Sequence, residues 1–217
     1  MSFDSTRGFE PKRAIEEWKK AKPATLGETG VGELIRALPE APAPGQLSKY
    51  VEIQGKLKAK MADPKIKSQQ KAVKCIDGIN SDISAFLKWY KESRASVIAR
   101  MTTVAKEMKA CQAVLEKEVA HPQKMMEAYT HFLGIARQHS VDSREFPSCG
   151  KSIFPQNIHA AWLGVTDQWC TSVSDTIKYL SRTPPPDPAA KDATEMMKSC
   201  KLGAERVAQV LALLQPI

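Results

Sequence analysis

The amino-acid sequence predicts an all-α protein: an elongated antiparallel helical bundle, coiled-coil-like in its packing and built around one long helix. Three observations predict it. From Pro64 to about Ala120 there is no proline after the first residue and a single glycine, Gly78. Written as heptads from Val73, the a and d positions of that stretch are Val73, Ile76, Asn80, Ile83, Leu87, Tyr90, Arg94, Val97, Met101, Val104, Met108, Cys111, Leu115 and Glu118. Only Asn80, Arg94 and Glu118 break that apolar seam, which is the pattern of a coiled-coil-like helix. The remaining apolar residues are mostly Ala, Val, Ile, Leu and Met, with aromatics at 6%, the usual filling of helical bundles.

Composition bounds the rest. The 217 residues, 42% hydrophobic and 26% charged, are enough for one large or two small domains with a real core. No run approaches eighteen apolar residues, so no transmembrane helix is expected. Met1-Ser2-Phe3-Asp4-Ser5 lacks a basic region followed by an apolar one and lacks a glycine at position 2, so neither a secretory signal nor a myristoylation site is expected. The five cysteines, Cys75, Cys111, Cys149, Cys170 and Cys200, form no CxxC pair. Four lie in helical patterns and read as small buried hydrophobes. Cys149, in a loop, is the candidate exposed thiol, and a reducing cytoplasmic location is the expectation.

Residues 1–45 read as an N-terminal extension with two short amphipathic helices. Phe9, Ile15 and Trp18 share a face in a helix from about Pro11 to Lys22, with proline in its first turn. Val31, Leu34, Ile35 and Leu38 repeat at helical spacing, and the segment Leu38–Gly45 then stops any helix and reads as a linker. Helices this short are marginal alone. Their apolar faces need cover, either from this chain's own bundle or from a docked partner.

Residues 46–182 read as the elongated bundle. A helix from Gln46 to Ala62 places Leu47, Tyr50, Val51, Leu57 and Met61 on one side. Asp63-Pro64 supplies an N-cap and a first-turn proline for the long helix, giving a tight antiparallel hairpin. Some 55 residues at 1.5 Å each span roughly 80 Å, whereas a compact protein of this length is roughly 45 Å across. Either the protein is elongated or the helix breaks near Gly78 or Ser93-Arg94, and elongation is the expectation. Ile79 and Phe86 widen the seam near its start, and Val114 and Val119 near its end. From Pro122 a helix carries Met125, Met126, Tyr129, Phe132, Leu133 and Ala136. After a loop to Phe154, Pro155 opens a long helix with Ile158, Trp162, Val165, Trp169, Val173, Ile177 and Leu180. Residues 183–217 are a proline-rich connector and a C-terminal helix that starts at Asp187-Pro188, shows Met196, Cys200, Ala204, Val207, Leu211 and Leu214, and packs on the bundle.

No catalytic motif is present: no GxSxG, no GxxxxGK[ST] and no GxGxxG. Glu127, His131 and His139 could share a helix face, but HExxH is absent and no second cluster adds ligands. The chain is therefore read as non-enzymatic, with no cofactor and no metal. Of the polar seam residues, Asn80 can fix register, and Arg94 either meets an acid or marks a place where the seam opens to water.

The clearest charge feature lies between Lys49 and Lys74. Eight lysines (Lys49, Lys56, Lys58, Lys60, Lys65, Lys67, Lys71 and Lys74) stand there against Glu52 and Asp63, a net +6 of the chain's +8. Lysine is a hydrated point charge, and the patch has no arginine for bidentate phosphate contacts and no aromatic near the tip to stack on bases. It suits an acidic protein or an anionic membrane surface at least as well as nucleic acid, or serves only as a solvated face. The expected function is a helical scaffold, adaptor or assembly component that binds a protein partner or self-assembles as an oligomer. The elongated coiled-coil shape resembles that of BAR domains, and the resemblance implies a membrane-surface protein using the lysine hairpin on anionic lipid. Sequence-independent nucleic-acid binding through the same lysines is the third reading.

Overall fold

The computed structural model describes residues 9–21, 29–40, 44–141 and 156–213, and among them there are eight α-helices and no strand. In chain order they are α1 (Pro11–Lys20), α2 (Val31–Arg36), α3 (Leu47–Lys60), α4 (Pro64–Lys67), α5 (Gln70–Lys117), α6 (Pro122–Gln138), α7 (Gln156–Leu180) and α8 (Lys191–Ala212). The expected Cys149 thiol, Leu214 and the Ile158 side chain lie outside the described residues, as does part of the 38–45 linker. The chain divides into two compact units, and the boundary falls within α5, between Arg94 and Ala95. Arg94 is one of the three residues that break the apolar seam, but the sequence reading carried residues 46–182 through it as one bundle.

The 48-residue α5 is the single long helix the heptads called for, and it passes through Gly78 without a break. Of the fourteen seam positions eleven are buried, and Val73, Leu87 and Glu118 are half-buried. Arg94 is among the buried ones, so the seam is not open to water there.

The start of the helix differs from expectation. Asp63 does cap the turn at Pro64, its Oδ1 accepting the Lys65 N–H at 2.9 Å. That turn is the separate four-residue α4, however, and the chain steps at Ser68-Gln69 before α5 begins. The Gln69 N–H reaches back only to the Ile66 carbonyl, and the Gln69 carbonyl starts a new ladder by accepting from Ala72 and Val73. The physical reason is phase. Ile66 is fully buried, and so are Ala72 and Ile76. In an unbroken helix at 100° per residue Ile66 would stand about 120° round from Ala72, and the step accompanies the burial of both.

In the first unit α3 runs antiparallel to α5. Tyr50 and Phe86 lie ring to ring at 5.0 Å, and further along Gln54 Nε2 donates to the Asn80 carbonyl at 2.9 Å and to Ser84 Oγ at 2.6 Å. Phe9 packs edge-on against Tyr50 at 5.8 Å and lies 6.4 Å from Phe86. The Tyr50 hydroxyl donates to the Pro39 carbonyl. On α3 the buried side is Leu47, Tyr50, Ile53 and Leu57, whereas Val51 is 57% exposed. This corrects the expected face: Ile53 takes the position given to Val51, because residues 50, 53 and 57 keep the helical spacing that 51 leaves.

In the second unit Trp169 is the centre. It is fully buried, meets Phe132 edge-on at 4.8 Å and Tyr129 at 6.2 Å, and donates its indole N–H to Gln112 Oε1 at 3.2 Å. The Tyr129 hydroxyl donates to the Cys170 carbonyl at 3.1 Å and so ties α6 to α7. Thr176 Oγ1 and Cys200 Sγ are 3.4 Å apart between α7 and α8. Val114 and Met126, both expected inside, are exposed. At the end of α5 the packed flank is Cys111, Gln112 and Leu115, because Trp169 needs an acceptor that Gln112 supplies and Val114 cannot. On α6 the pocket around Trp169 takes Met125, Tyr129 and Phe132, and one step further round, Met126 faces outward. The C-terminal helix also starts later than Asp187-Pro188. Asp187 forms a turn there, accepting from the Ala189 N–H at 2.8 Å, and α8 begins at Lys191.

Candidate functional site

The lysine corner is built from three consecutive elements. Lys49, Lys56, Lys58 and Lys60 lie on α3, Lys65 and Lys67 on α4, and Lys71 and Lys74 on the first turns of α5. Because α3 buries positions 47, 50, 53 and 57 and α4 buries only Ile66, the lysines fall on outer faces. Seven of the eight are exposed and Lys60 is half-buried.

Lysines elsewhere in the chain are commonly neutralised. Lys12 pairs with Glu40 at 2.9 Å, Lys20 with Glu17 at 3.2 Å and Lys124 with Glu118 at 3.1 Å. In the corner only Lys56 has an ion-pair partner among the described residues, Glu52, whose carboxyl it holds below the usual carboxylate range by hydrogen bond and charge. Asp63 is engaged in capping α4. Lys58 and Lys60 occupy the last turn of α3, where they meet the partial negative charge of its terminal carbonyls.

Two open grooves adjoin the corner. One lies between α2 and the end of α3, where Gly30, Glu33 and Leu34 face Lys56, Lys60, Asp63 and Pro64. Gly30 is left-handed there, with φ of 71°, and caps α2. The other lies between the end of α1 and the start of α5, where Lys20 joins Lys71 and Lys74 over a floor of Ala21, Cys75 and Gly78, with Glu17 at its side. Burial pushes the Cys75 thiol up, and the Glu17 carboxylate adds to it. Lys20 and Glu33 are the residues sequence reasoning missed. They come from separate helices, and nothing local in the sequence places them beside residues 56–74.

The seven extension residues are accounted for within the chain. Phe9, Ile15, Trp18, Val31, Ile35 and Leu38 are buried, and Leu34 is half-buried on the wall of the first groove.

The second unit gathers side chains with less chemical scope. Burial pushes the Cys111 thiol up to about 12, with Cys170 and Cys200 adding to the effect. Cys170 and Cys200 are also raised by burial. Thiols held protonated in this way are weak nucleophiles and weak metal ligands. His131 and Glu127 are exposed, His121 pairs with Glu118 at 3.2 Å, and among the described residues no group of three or more His, Cys, Asp or Glu could hold a metal ion. No described helix is long and apolar enough to cross a membrane. No protein-family model, curated protein or solved structure matches this chain.

Proposed function

We propose that this chain is a non-catalytic helical adaptor that binds an acidic protein partner through the lysine corner of α3, α4 and the start of α5. The observation that carries the reading is that seven of the eight clustered lysines have no ion-pair partner among the described residues, and six of those seven are exposed. An uncompensated cluster steers an oppositely charged surface and gains from its neutralisation.

Burial supports this surface over the alternatives. The α5 seam, through which a coiled coil would pair with another chain, is already covered by this chain's own helices. Tyr50, the aromatic nearest the lysines in sequence, is fully buried and cannot stack on a base. In the first unit Val51 is the one large apolar side chain found exposed among the described residues, so membrane insertion has little to anchor it.

The test is a pull-down of the tagged full chain from native cells at about 0.1 M salt, where exposed charges still act across roughly 10 Å. Wild type is compared with a Lys58→Glu, Lys65→Glu, Lys67→Glu variant and with a Lys198→Glu, Lys201→Glu control on α8. The expected result is a stoichiometric acidic protein recovered with wild type and control and lost with the corner variant. A protein retained by the corner variant overturns the reading. Recovery of lipid or nucleic acid alone also overturns it and moves the corner to that ligand.

A further inference from the structure

We infer that Ser68 is a phosphorylation site for a serine/threonine kinase that selects basic residues N-terminal to its target, and that the phosphate switches the lysine corner off. The switch rests on the reading of the corner given above. The site rests on the local structure.

Ser68 stands at the step between α4 and α5, exposed, with Lys65 three residues before it, Lys67 immediately before and Lys71 three residues after. Its hydroxyl makes no hydrogen bond among the described residues, and so is free to act as an acceptor of a phosphoryl group. Four other described hydroxyls also have a basic residue three positions earlier, and each is engaged by its own helix. Thr103 donates to the Ala99 carbonyl, Ser140 to the Arg137 carbonyl, Ser181 to the Ile177 carbonyl, and Thr194 to the carbonyls of Ala190 and Lys191. A kinase cleft takes its substrate as a locally extended segment. The four-residue α4, a single turn tied by the Asp63 cap and by Ile66, is the kind of element that opens at a small fraction of the global unfolding free energy.

The chemistry is ordinary phosphoryl transfer. The bond from the γ-phosphorus of ATP to its bridging oxygen breaks, the Ser68 Oγ–P bond forms, the hydroxyl proton passes to the kinase's catalytic carboxylate, and ADP leaves. The product adds roughly −1.5 to −2 charges near neutral pH, which takes the corner from +6 to about +4. It also places three acceptor oxygens among Lys65, Lys67 and Lys71, whose ammonium groups would then be occupied by charge-assisted hydrogen bonds rather than by a partner.

The experiment incubates the intact protein with ATP and a recombinant kinase of that basic-directed class, maps the sites by tandem mass spectrometry, and measures retention on immobilised poly-glutamate before and after. Ser68 is expected to be the principal site on the folded protein. Ser68→Ala is expected to lose that incorporation while binding poly-glutamate as wild type does. Phosphorylation is expected to weaken the binding about tenfold. Labelling elsewhere with Ser68 untouched overturns the site, and a Ser68 phosphate that leaves binding unchanged overturns the switch. If the unmodified protein does not bind poly-glutamate, the lysine reading falls and the switch with it. The site itself is decided by the mass spectrum alone.

Discussion

Gly203 on α8 lies against Trp169 on α7 so closely that a β-carbon at residue 203 would stand 3.1 Å from the indole Cδ1 and 3.3 Å from the Trp169 Cβ. The indole has no room to withdraw, because Phe132 and Tyr129 hold its other sides. Gly203→Ala should therefore destabilise the second unit. The overpacking cost of about 1–3 kcal/mol exceeds the gain of about 1 kcal/mol from replacing glycine inside a helix. Urea unfolding followed by far-ultraviolet circular dichroism measures the difference, and a higher midpoint for the variant would contradict the contact.

Gly78 is the matched opposite. A β-carbon there meets nothing within 4 Å, although the residue sits inside α5. Gly78→Ala should raise stability by about 0.5–1 kcal/mol in the same assay.

Asn80 occupies an a position of the seam and is 3% exposed, yet neither its amide nitrogen nor its amide oxygen has a hydrogen-bond partner. An unmade buried hydrogen bond costs about 1–3 kcal/mol. Asn80→Leu, similar in outline and apolar, should accordingly stabilise the first unit by about 1 kcal/mol after the strain of its extra volume. A loss of stability would mean that the amide is satisfied in solution.

Gln112 and Trp169 form a buried donor–acceptor pair at 3.2 Å. Gln112→Met keeps the volume and leaves the indole N–H without an acceptor, so the second unit should lose about 1–3 kcal/mol. The emission maximum of Trp169 should shift with it, which tryptophan fluorescence of the folded variant checks.

Cys111 gives a pH dependence with a defined sign. Its folded value, about 12, lies above the ordinary value of 9.0, so the folded state holds the proton more tightly than the unfolded state. The contribution is fully present below pH 9 and is lost as pH rises from 9 towards 12. Stability measured across that window should fall less steeply in Cys111→Ala than in wild type. Equal slopes would place the thiol in solvent.

Much of this was legible from local pattern. Heptad spacing identified eleven of the positions that α5 buries. Pro64, Pro122 and the Asp63 cap marked helix starts through backbone chemistry that needs no tertiary partner. The corner lysines could be listed from sequence because they are contiguous. Val51, Val114 and Met126 were misplaced because each sits one step from a true core position, where spacing alone cannot choose between adjacent residues. Ser68-Gln69 was invisible for a related reason. No proline or glycine marks it, and Ile66 and Ala72, both fully buried, would stand about 120° apart in an unbroken helix.

What the sequence by itself determined about this protein is its helices and, for most of them, the face that turns inward. Both depend on residues three or four apart, and that distance is set by the backbone. Only the tertiary structure decided that Phe9 and Trp18 are covered by this chain, that Gln112 is buried for the sake of Trp169, and that Lys20 stands beside Lys71 and Lys74. Each of those facts depends on which helix lies opposite, and no periodicity within a single helix encodes its neighbour.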